Sequence, residues 1–259
     1  MNTQPLDSLP IWAVYPLTVV IFFVALVGGY YFAKGRGLKA LKNDRGVGAI
    51  SGATLALLAF LLAFVVGFGF NVWQERRALT VAEANAIGTA YLRAGYLEEP
   101  YSSESRKLLV EYTDQRVAAY NRDTLPQAKA RSEEIHGELW QLVEDMVKGG
   151  ATAATYGLYV SAVNDVIDIH SERVDVAINI RVPPAMILTI YLIAFLTLFV
   201  VGMQLGYTEN RSLIAPVALV LVLAAVLYLI IDLDRSQAGL LQVPKQALLD
   251  LQASIKTLP

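Results

Sequence analysis

The stretch from residue 47 to residue 97 decides the fold: VGAISGATLALLAFLLAFVVGFGF (47–70) continues directly as NVWQERRALTVAEANAIGTAYLRAGYL (71–97). Its first part has no Asp, Glu, Lys or Arg and is long enough for a helix that crosses the hydrocarbon core of a membrane. No proline interrupts it, so one helix is predicted to continue beyond the span to Pro100. At about 1.5 Å per residue, a helix of about 50 residues would be about 75 Å long.

Three further runs without an acidic or basic residue lie at residues 11–32, 184–207 and 213–231. Each is long enough to cross a membrane as a helix. The composition agrees, since 55% of the residues are hydrophobic and 17% are charged, whereas soluble proteins contain about 25% charged residues. The sequence therefore predicts an all-α protein of the cell membrane with four transmembrane helices, a long second helix, and a helical soluble domain inserted between the second and third spans.

Breaks in the apolar pattern divide the chain into five predicted parts. These are an N-terminal tail (1–10), transmembrane helices 1 and 2 (11–70), a helical extramembrane domain (71–182), transmembrane helices 3 and 4 (183–232) and a C-terminal tail (233–259). Within the extramembrane domain, helical periodicity covers residues 102–123, 126–148 and 151–181. The first run is expected to be retained rather than cleaved, because no positive charge precedes it. Basic residues occur on both sides of the predicted membrane, so its orientation stays open.

The residues that most enzymes use are scarce in this sequence. It has no cysteine and two histidines, His136 and His170, and it has no nucleotide-binding, protease or hydrolase motif. Both histidines are interpreted as surface or packing residues. We therefore expect that the protein is not an enzyme and has no organic cofactor, and no basic stripe indicates nucleic-acid binding.

One predicted helix of the extramembrane domain is rich in acidic side chains. Asp165, Asp168 and Glu172 lie on or beside one helix face, and carboxylate oxygens are ligands that calcium prefers. They are candidate cation-binding residues, with calcium as the candidate ion. The alternative, which the lack of a calcium-loop spacing favours, is that these acids face solvent and pair with Arg173 and Arg181.

Short-range spacing in the other spans concerns packing and the membrane edge. Small residues lie four apart at Ala25 and Gly29 and in the G-x-x-x-G of residues 202–206, which predicts close helix packing. Asp232 and Asp234 follow the fourth span. They fit equally well an anchor at the membrane edge or a functional charge.

The second span has two adjacent faces of different character. One face is predicted to line a pore and carries Leu57, Phe60, Phe64, Phe68 and Asn71. The other consists of small residues that would let neighbouring helices approach, namely Gly52, Ala56, Ala59, Ala63 and Gly67. Rings of apolar side chains can gate a pore by dewetting. The alternative is that the phenylalanines face lipid or a neighbouring helix.

Four sequence elements resemble a known family. E-A-N-A-I-G-T-A-Y-L-R at residues 83–93 follows an arginine pair at 76–77, and L-x-x-Y-x-x-x-R is found at residues 109–116. N-x-x-x-D is found at residues 164–168, and D-L-D-R-x-x-x-G at residues 232–239. This set resembles the bestrophin-like family, and the resemblance covers nearly the whole chain from about residue 48.

The resemblance implies an ion channel, because bestrophins are homopentameric anion channels in which the second membrane helix lines a neck with apolar and aromatic side chains. It also implies helices that extend into a cytoplasmic region that senses calcium. The expected partners are the lipid bilayer, further copies of the chain in a pentamer or tetramer, and inorganic ions. The alternative is a non-conducting membrane scaffold or sensor that acts through its helical extramembrane domain.

Five polar residues after the second span are expected to lie in a vestibule or a subunit interface: Arg76, Arg77, Glu83, Asn85 and Arg93. Arginines along a vestibule would favour anions, whereas Glu75 and Glu83 would favour cations. The sequence does not rank them, since neighbouring helical residues point about 100° apart. Glu83 and Asn85 lie among small and apolar residues, so we predict that they make buried hydrogen bonds between helices or subunits.

Overall fold

The computed structural model describes residues 9–35, 44–121, 123–150, 152–207, 214–235 and 239–257. Within these ranges the chain forms eight helices and no strand: α1 (Ile11–Gly35), α2 (Asp44–Ala94), α3 (Tyr101–Ala118), α4 (Leu125–Lys148), α5 (Ala153–Ile178), α6 (Pro184–Tyr207), α7 (Ile214–Asp234) and α8 (Gln246–Ile255). Most of the N-terminal tail predicted at residues 1–10 lies outside the described residues, as do residues 36–43 after the first span.

Four of these helices, α1, α2, α6 and α7, are long enough and apolar enough to cross a membrane. They coincide with the four runs that the sequence predicts as spans. The second helix is the long one, with 51 residues. It ends at Ala94 rather than at Pro100, because Gly95, a poor helix former, begins a turn in which the amide of Gly95 donates to the carbonyl of Leu92 at 3.1 Å.

The described chain separates into two units. The first consists of Met1–Trp73 and Arg181–Leu241. In it α1 packs against α6 and α7, and Phe22 and Leu198 are fully buried in its apolar core. The backbones of α1 and α6 approach so closely that a Cβ atom on Gly29 would overlap the carbonyl oxygen of Phe199, and one on Gly202 would overlap that of Leu26. The close packing predicted from the small residues is therefore confirmed, and each of these two helices is the partner of the other.

The second unit consists of Gln74–Ile180 and Gln242–Pro259. Here α3 packs against α4 and α8, and α4 packs against α5. Ile87, Leu109, Ile135 and Val163 are fully buried in its apolar core, which brings together α2, α3, α4 and α5.

Part of the predicted C-terminal tail is a short helix in this second unit. Leu248 and Ile255 of α8 are buried in the core, and Leu251 packs against it. The Nε2 atom of Gln252 donates a 2.6 Å hydrogen bond to Asp114 on α3. Only ten residues long, α8 is too short to be stable alone, and its apolar stripe has a partner only once the unit has folded.

Candidate functional site

The apolar face of α2 in the first unit has no covering partner within the described chain. Leu58 and Leu62 on one side of the helix are buried in the core. Leu57, Phe60 and Phe64 on the other side are 52%, 69% and 62% exposed. A surface of large apolar side chains must meet lipid or another protein surface when the helix lies in a membrane.

The last two residues of the predicted pore-lining set, Phe68 and Asn71, differ in exposure. Asn71 is exposed, whereas Phe68 is half-buried and packs against the core of the first unit. Phe68 therefore lies at the margin of the exposed face, because the side-chain positions of an α-helix repeat every 3.6 residues rather than every four.

The stripe of small residues beside the phenylalanines is also open. Every member of the predicted set is exposed: Gly52, Ala56, Ala59, Ala63 and Gly67. A Cβ atom added to Gly52 or Gly67 would meet no heavy atom within 4 Å. Small side chains leave room for the backbone of another helix, so this stripe could accept a second copy of the chain.

The acids after the fourth span have structural partners in the first unit. The carboxylate of Asp234 accepts hydrogen bonds from Nε of Arg181 at 3.0 Å and from the backbone amide of Val182 at 2.7 Å. Asp232 accepts the amides of Leu240 and Leu241, both at 2.9 Å. Both acids are buried, and these donors supply the hydrogen bonds that a buried carboxylate requires.

Gly239 makes that arrangement possible. Its φ angle is +120°, a region that side chains rarely adopt, and a Cβ atom there would overlap the carboxylate of Asp232. The structure thus accounts for the first aspartate and the glycine of the D-L-D-R-x-x-x-G element. The carboxylate holds the backbone at Leu240 and Leu241, and the glycine leaves space for it.

The second unit contains a buried polar network centred on Glu83 of α2. This side chain is fully buried and accepts hydrogen bonds from Nε of Arg116 at 2.7 Å, from Oη of Tyr112 at 2.9 Å, and from Nη1 of Arg173. Because two guanidinium groups face one carboxylate, the ionised form of Glu83 is compensated despite burial. The network joins α2, α3 and α5.

Two histidines extend this network toward α4. Nδ1 of His170 lies 2.9 Å from Oη of Tyr112. The ring of His136 is perpendicular to that of His170, with centroids 4.7 Å apart, and lies 5.0 Å from the ring of Tyr112. Burial raises the pKa of Tyr112 well above its usual range, as does the charge of Glu83.

Burial, together with the neighbouring His170 and Arg116, lowers the pKa of His136 from 6.5 to about 4. His136 is therefore neutral near pH 7. Since a neutral imidazole has one N–H donor and one lone pair, each ring nitrogen needs a partner of the matching kind.

On its other side the network reaches Tyr120. Nη2 of Arg173 donates to Oη of Tyr120 at 2.9 Å, and the guanidinium carbon lies 5.4 Å from the centre of the Tyr120 ring. The hydroxyl of Thr80 on α2 is 3.4 Å from the same oxygen. Arg173 was expected to pair with the acids of α5, and it points instead into the interior.

Two members of the predicted vestibule set are buried within their own chain. Arg76 is 4% exposed and donates to the carbonyls of Val176 at 3.3 Å and Ile180 at 3.0 Å. Within one chain, Arg76 and Glu83 are thus buried rather than exposed on a surface that could line a vestibule. The prediction that Glu83 makes buried hydrogen bonds between helices agrees with the structure.

The other members of that set lie at the surface of the second unit. Arg77 and Asn85 are exposed, so Asn85 makes no buried hydrogen bond between helices of its own chain, and the predicted bond between subunits stays a prediction. Arg93 is half-buried and donates to the carbonyl of Leu158 at 2.8 Å. Arg77, Asn85 and Arg93 remain available to a vestibule or to a neighbouring subunit.

The acids proposed to bind a cation are not gathered into a site. Asp165, Asp168 and Glu172 are exposed on α5, and Asp168 accepts a hydrogen bond from Asn164 at 3.0 Å. Across the described ranges, no three His, Cys, Asp or Glu side chains are placed to hold a metal ion. Helical spacing aligned these acids along a solvent-facing side, where nothing brings their oxygens to a common point.

Sequence reasoning missed the roles of His170, His136 and Arg173. A signal was present in α5, where Tyr159, Val163, Val166, His170 and Arg173 follow one another in steps of four, three, four and three residues. This is the spacing of a single helix face. Because the first three are buried in the core, that face continues inward and carries the two polar side chains with it.

Comparison with known proteins gives both a family and a fold. The chain matches the family model of the bestrophin-like domain over residues 18–248, and no curated protein matches its sequence. Its fold is similar to crystal structures of a bacterial bestrophin homologue from Klebsiella pneumoniae in three mutant forms. These have 14%, 15% and 16% sequence identity and TM-scores of 0.68, 0.67 and 0.65. The matches cover 96%, 94% and 98% of this chain and 99%, 99% and 100% of the other.

Proposed function

The chain belongs to the bestrophin-like family, and on that basis we propose that it forms a homo-oligomeric ion channel whose pore is lined by α2. The protein is a multi-pass membrane protein, with four helices that can cross a bilayer. The proposed assembly is a pentamer or tetramer in the cell membrane, in which copies of α2 surround a common axis.

The observation that carries this proposal is the uncovered face of α2. Phe60 and Phe64 are more than three-fifths exposed, although Leu58 and Leu62 of the same helix are buried in the core. In a symmetric oligomer, equivalent phenylalanines would form stacked apolar rings, which can close a pore by dewetting. Lipid could also cover phenylalanines. The open stripe of small residues beside them favours contact with another helix.

Ion selectivity is proposed to come from the side chains that follow the rings. Residues eleven apart on an ideal helix differ in direction by about 20°, so Glu75 continues the line of Phe64. Arg77 points about 140° away from that line, and Arg76 is buried. Glu75 is exposed. A ring of Glu75 carboxylates would attract cations, and we propose a preference for cations over chloride.

Conduction is tested by ion flux through purified protein in liposomes, with potassium and chloride gradients imposed separately. Phe64→Ala should widen the constriction and raise the flux while the oligomer stays intact. Phe23→Ala is the matched control, because it removes the same atoms from α1 at a position that is 43% exposed. It should leave flux unchanged.

If intact oligomers show no ion flux under either gradient, the channel proposal is contradicted. That result would favour the alternative, a scaffold or sensor whose partners bind residues 71–182. An equal rise in flux with Phe23→Ala would show that loss of any membrane phenylalanine causes leakage, and the pore assignment to α2 would fail.

Selectivity has a separate test in reversal potentials measured under a potassium chloride gradient. Glu75→Gln should shift the reversal potential toward that of chloride, because it removes one negative charge per subunit from the proposed ring. Arg77→Gln, the control two residues along the helix, should shift it little. A larger shift with Arg77→Gln would assign the vestibule lining to that face and indicate anion selectivity.

A further inference from the structure

A cavity of about 320 Å³ lies between α4 and α5 in the second unit. Its polar lining consists of Glu133, His136, His170, Ser171, Asp175 and Asn179. Glu133, Asp175 and Asn179 are exposed at its mouth, whereas His170 is only 3% exposed. This volume falls in the range of small-molecule sites, which is about 300–1,000 Å³.

The two histidines leave polar atoms without partners at the cavity. Nε2 of His170 and Nε2 of His136 are both buried and have no hydrogen-bond partner among the described residues. Buried polar atoms in proteins nearly always have a partner, so each such atom calls for an explanation. In a cavity open to solvent, the missing partner can be supplied by a ligand.

The hydrogen-bond network fixes which kind of partner His170 needs. Tyr112 gives its single hydroxyl proton to the carboxylate of Glu83, which can only accept. The Tyr112 oxygen must then accept from Nδ1 of His170, 2.9 Å away. In the neutral ring, a proton on Nδ1 leaves a lone pair on Nε2. The floor of the cavity thus presents an acceptor that needs a donor.

The other groups at the cavity are acceptors as well. Ser171 donates its hydroxyl proton to the carbonyl of Ile167 at 3.0 Å, and the side-chain amide of Asn179 donates a hydrogen bond to the carboxylate of Asp175. Glu133 and Asp175 add negative charge. Lys129 lies 3.7 Å from Glu133, in a pair whose side chains are 41% and 57% exposed, and such surface pairs contribute little.

We propose that this cavity binds a small organic cation with several N–H donors, such as a protonated primary amine. One N–H group would donate to Nε2 of His170, and the positive charge would lie between the carboxylates of Glu133 and Asp175. A bare metal ion fits less well, because no three metal-ligating side chains are gathered among the described residues. The ligand would contact α4 and α5, and through Tyr112 it would be linked to Glu83 of α2.

The test is equilibrium dialysis of putrescine against the purified full-length protein near pH 7.5. We expect saturable binding of one putrescine per chain. Glu133→Gln and Asp175→Asn should each weaken it roughly ten-fold, the effect of losing a charge-assisted contact. Both side chains are exposed, so neither substitution should prevent folding. Glu134→Gln, one residue along and outside the cavity lining, is the control.

Two further probes separate this proposal from its alternatives. Tetramethylammonium carries the charge without an N–H donor, and it should bind at least ten-fold more weakly than putrescine. The chain has two histidines, so ring ¹⁵N NMR can follow both, and Nε2 of His170 should shift when putrescine is added. Equal binding of tetramethylammonium, no saturable putrescine binding, or zinc bound in place of putrescine would each overturn the proposal.

Discussion

The first half of α2 (residues 48–73) buries leucine and valine and leaves phenylalanine exposed, whereas the second half (residues 74–94) buries charge. Leu62 and Val65 lie in an apolar core on the first half. Arg76 and Glu83 are buried on the second half. A buried apolar side chain requires only neighbours of complementary shape, but a buried carboxylate requires specific partners at hydrogen-bond distance.

That difference separates the two roles of one helix. The first half can expose a large apolar face because lipid or another copy of the chain will cover it. The second half is held within its own unit by three donors to Glu83, on α3 and α5. We therefore expect substitutions on the exposed face of the first half to change conduction more than stability, and substitutions of the buried charges in the second half to change folding.

Glu83→Ala should have the largest effect. It leaves the guanidinium groups of Arg116 and Arg173 beside each other without a carboxylate, and breaking a buried ion pair from one side costs about 3–5 kcal/mol. We expect a large fall in the melting temperature of the purified protein, with loss of the oligomer as a consequence. The same measurement on Glu83→Ala with Asn85→Ala should show little further loss, because Asn85 is exposed.

Glu111→Gln provides the control for that prediction. Glu111 pairs with Arg131 at 2.7 Å, but their side chains are 37% and 30% exposed, and surface pairs are worth about 0–1 kcal/mol. If Glu83→Ala melts no lower than Glu111→Gln, the buried network does not hold the second unit together.

Tyr112→Phe, a substitution on α3, should have an intermediate effect on the stability of the second unit, in which the second half of α2 is held. The substitution keeps the ring but removes the hydroxyl that joins Glu83 to His170. One donor to a charged group is lost and Nδ1 of His170 loses its acceptor, so we expect a destabilisation of about 1–3 kcal/mol. Tyr96→Phe, at a tyrosine that is 63% exposed, should change the melting temperature little. Equal effects of the two substitutions would argue against the hydroxyl link.

A pH dependence should appear in the second unit. The pKa of His136 falls from 6.5 to about 4 on folding, so the unfolded chain binds more protons between these values and stability rises with pH. The contribution is present above pH 6.5 and is lost as pH falls toward 4. Discounted for the partial exposure of the ring, it amounts to about 1–2 kcal/mol. Melting curves of the protein and of His136→Phe should diverge over this range, and parallel curves would contradict the assignment.

The two halves of α2 also differ in how far the sequence predicts them. Four spans, the long second helix and the phenylalanine stripe follow from apolar runs and helical spacing, which are local properties of the chain. Leu57, Phe60 and Phe64 are exposed together because each turn of the helix repeats their direction. No partner from elsewhere in the sequence is needed to place them.

The Glu83 network could be predicted only in part, because its partners are distant in sequence. Tyr112, Arg116 and Arg173 follow Glu83 by 29, 33 and 90 residues. A glutamate among small apolar residues indicates a buried hydrogen bond but not its donor. The acids of α5 show the reverse case, since their spacing aligned them on one face and the structure leaves that face in solvent.

The smallest effect on stability is expected for Phe64→Ala, and it tests the exposed face directly. A phenylalanine removed from a core costs about 3–5 kcal/mol, but Phe64 is 62% exposed and lies outside the apolar core of its unit. The melting temperature of the single chain in detergent should therefore change by less than that of Leu62→Ala, which empties a position only 5% exposed and should cost about 2–5 kcal/mol. If Phe64→Ala lowers the melting temperature as much as Leu62→Ala while the protein is monomeric, the phenylalanine face is covered within one chain. A loss seen only in the oligomer would instead show that this face is covered by other copies of the chain, as a pore built from α2 requires.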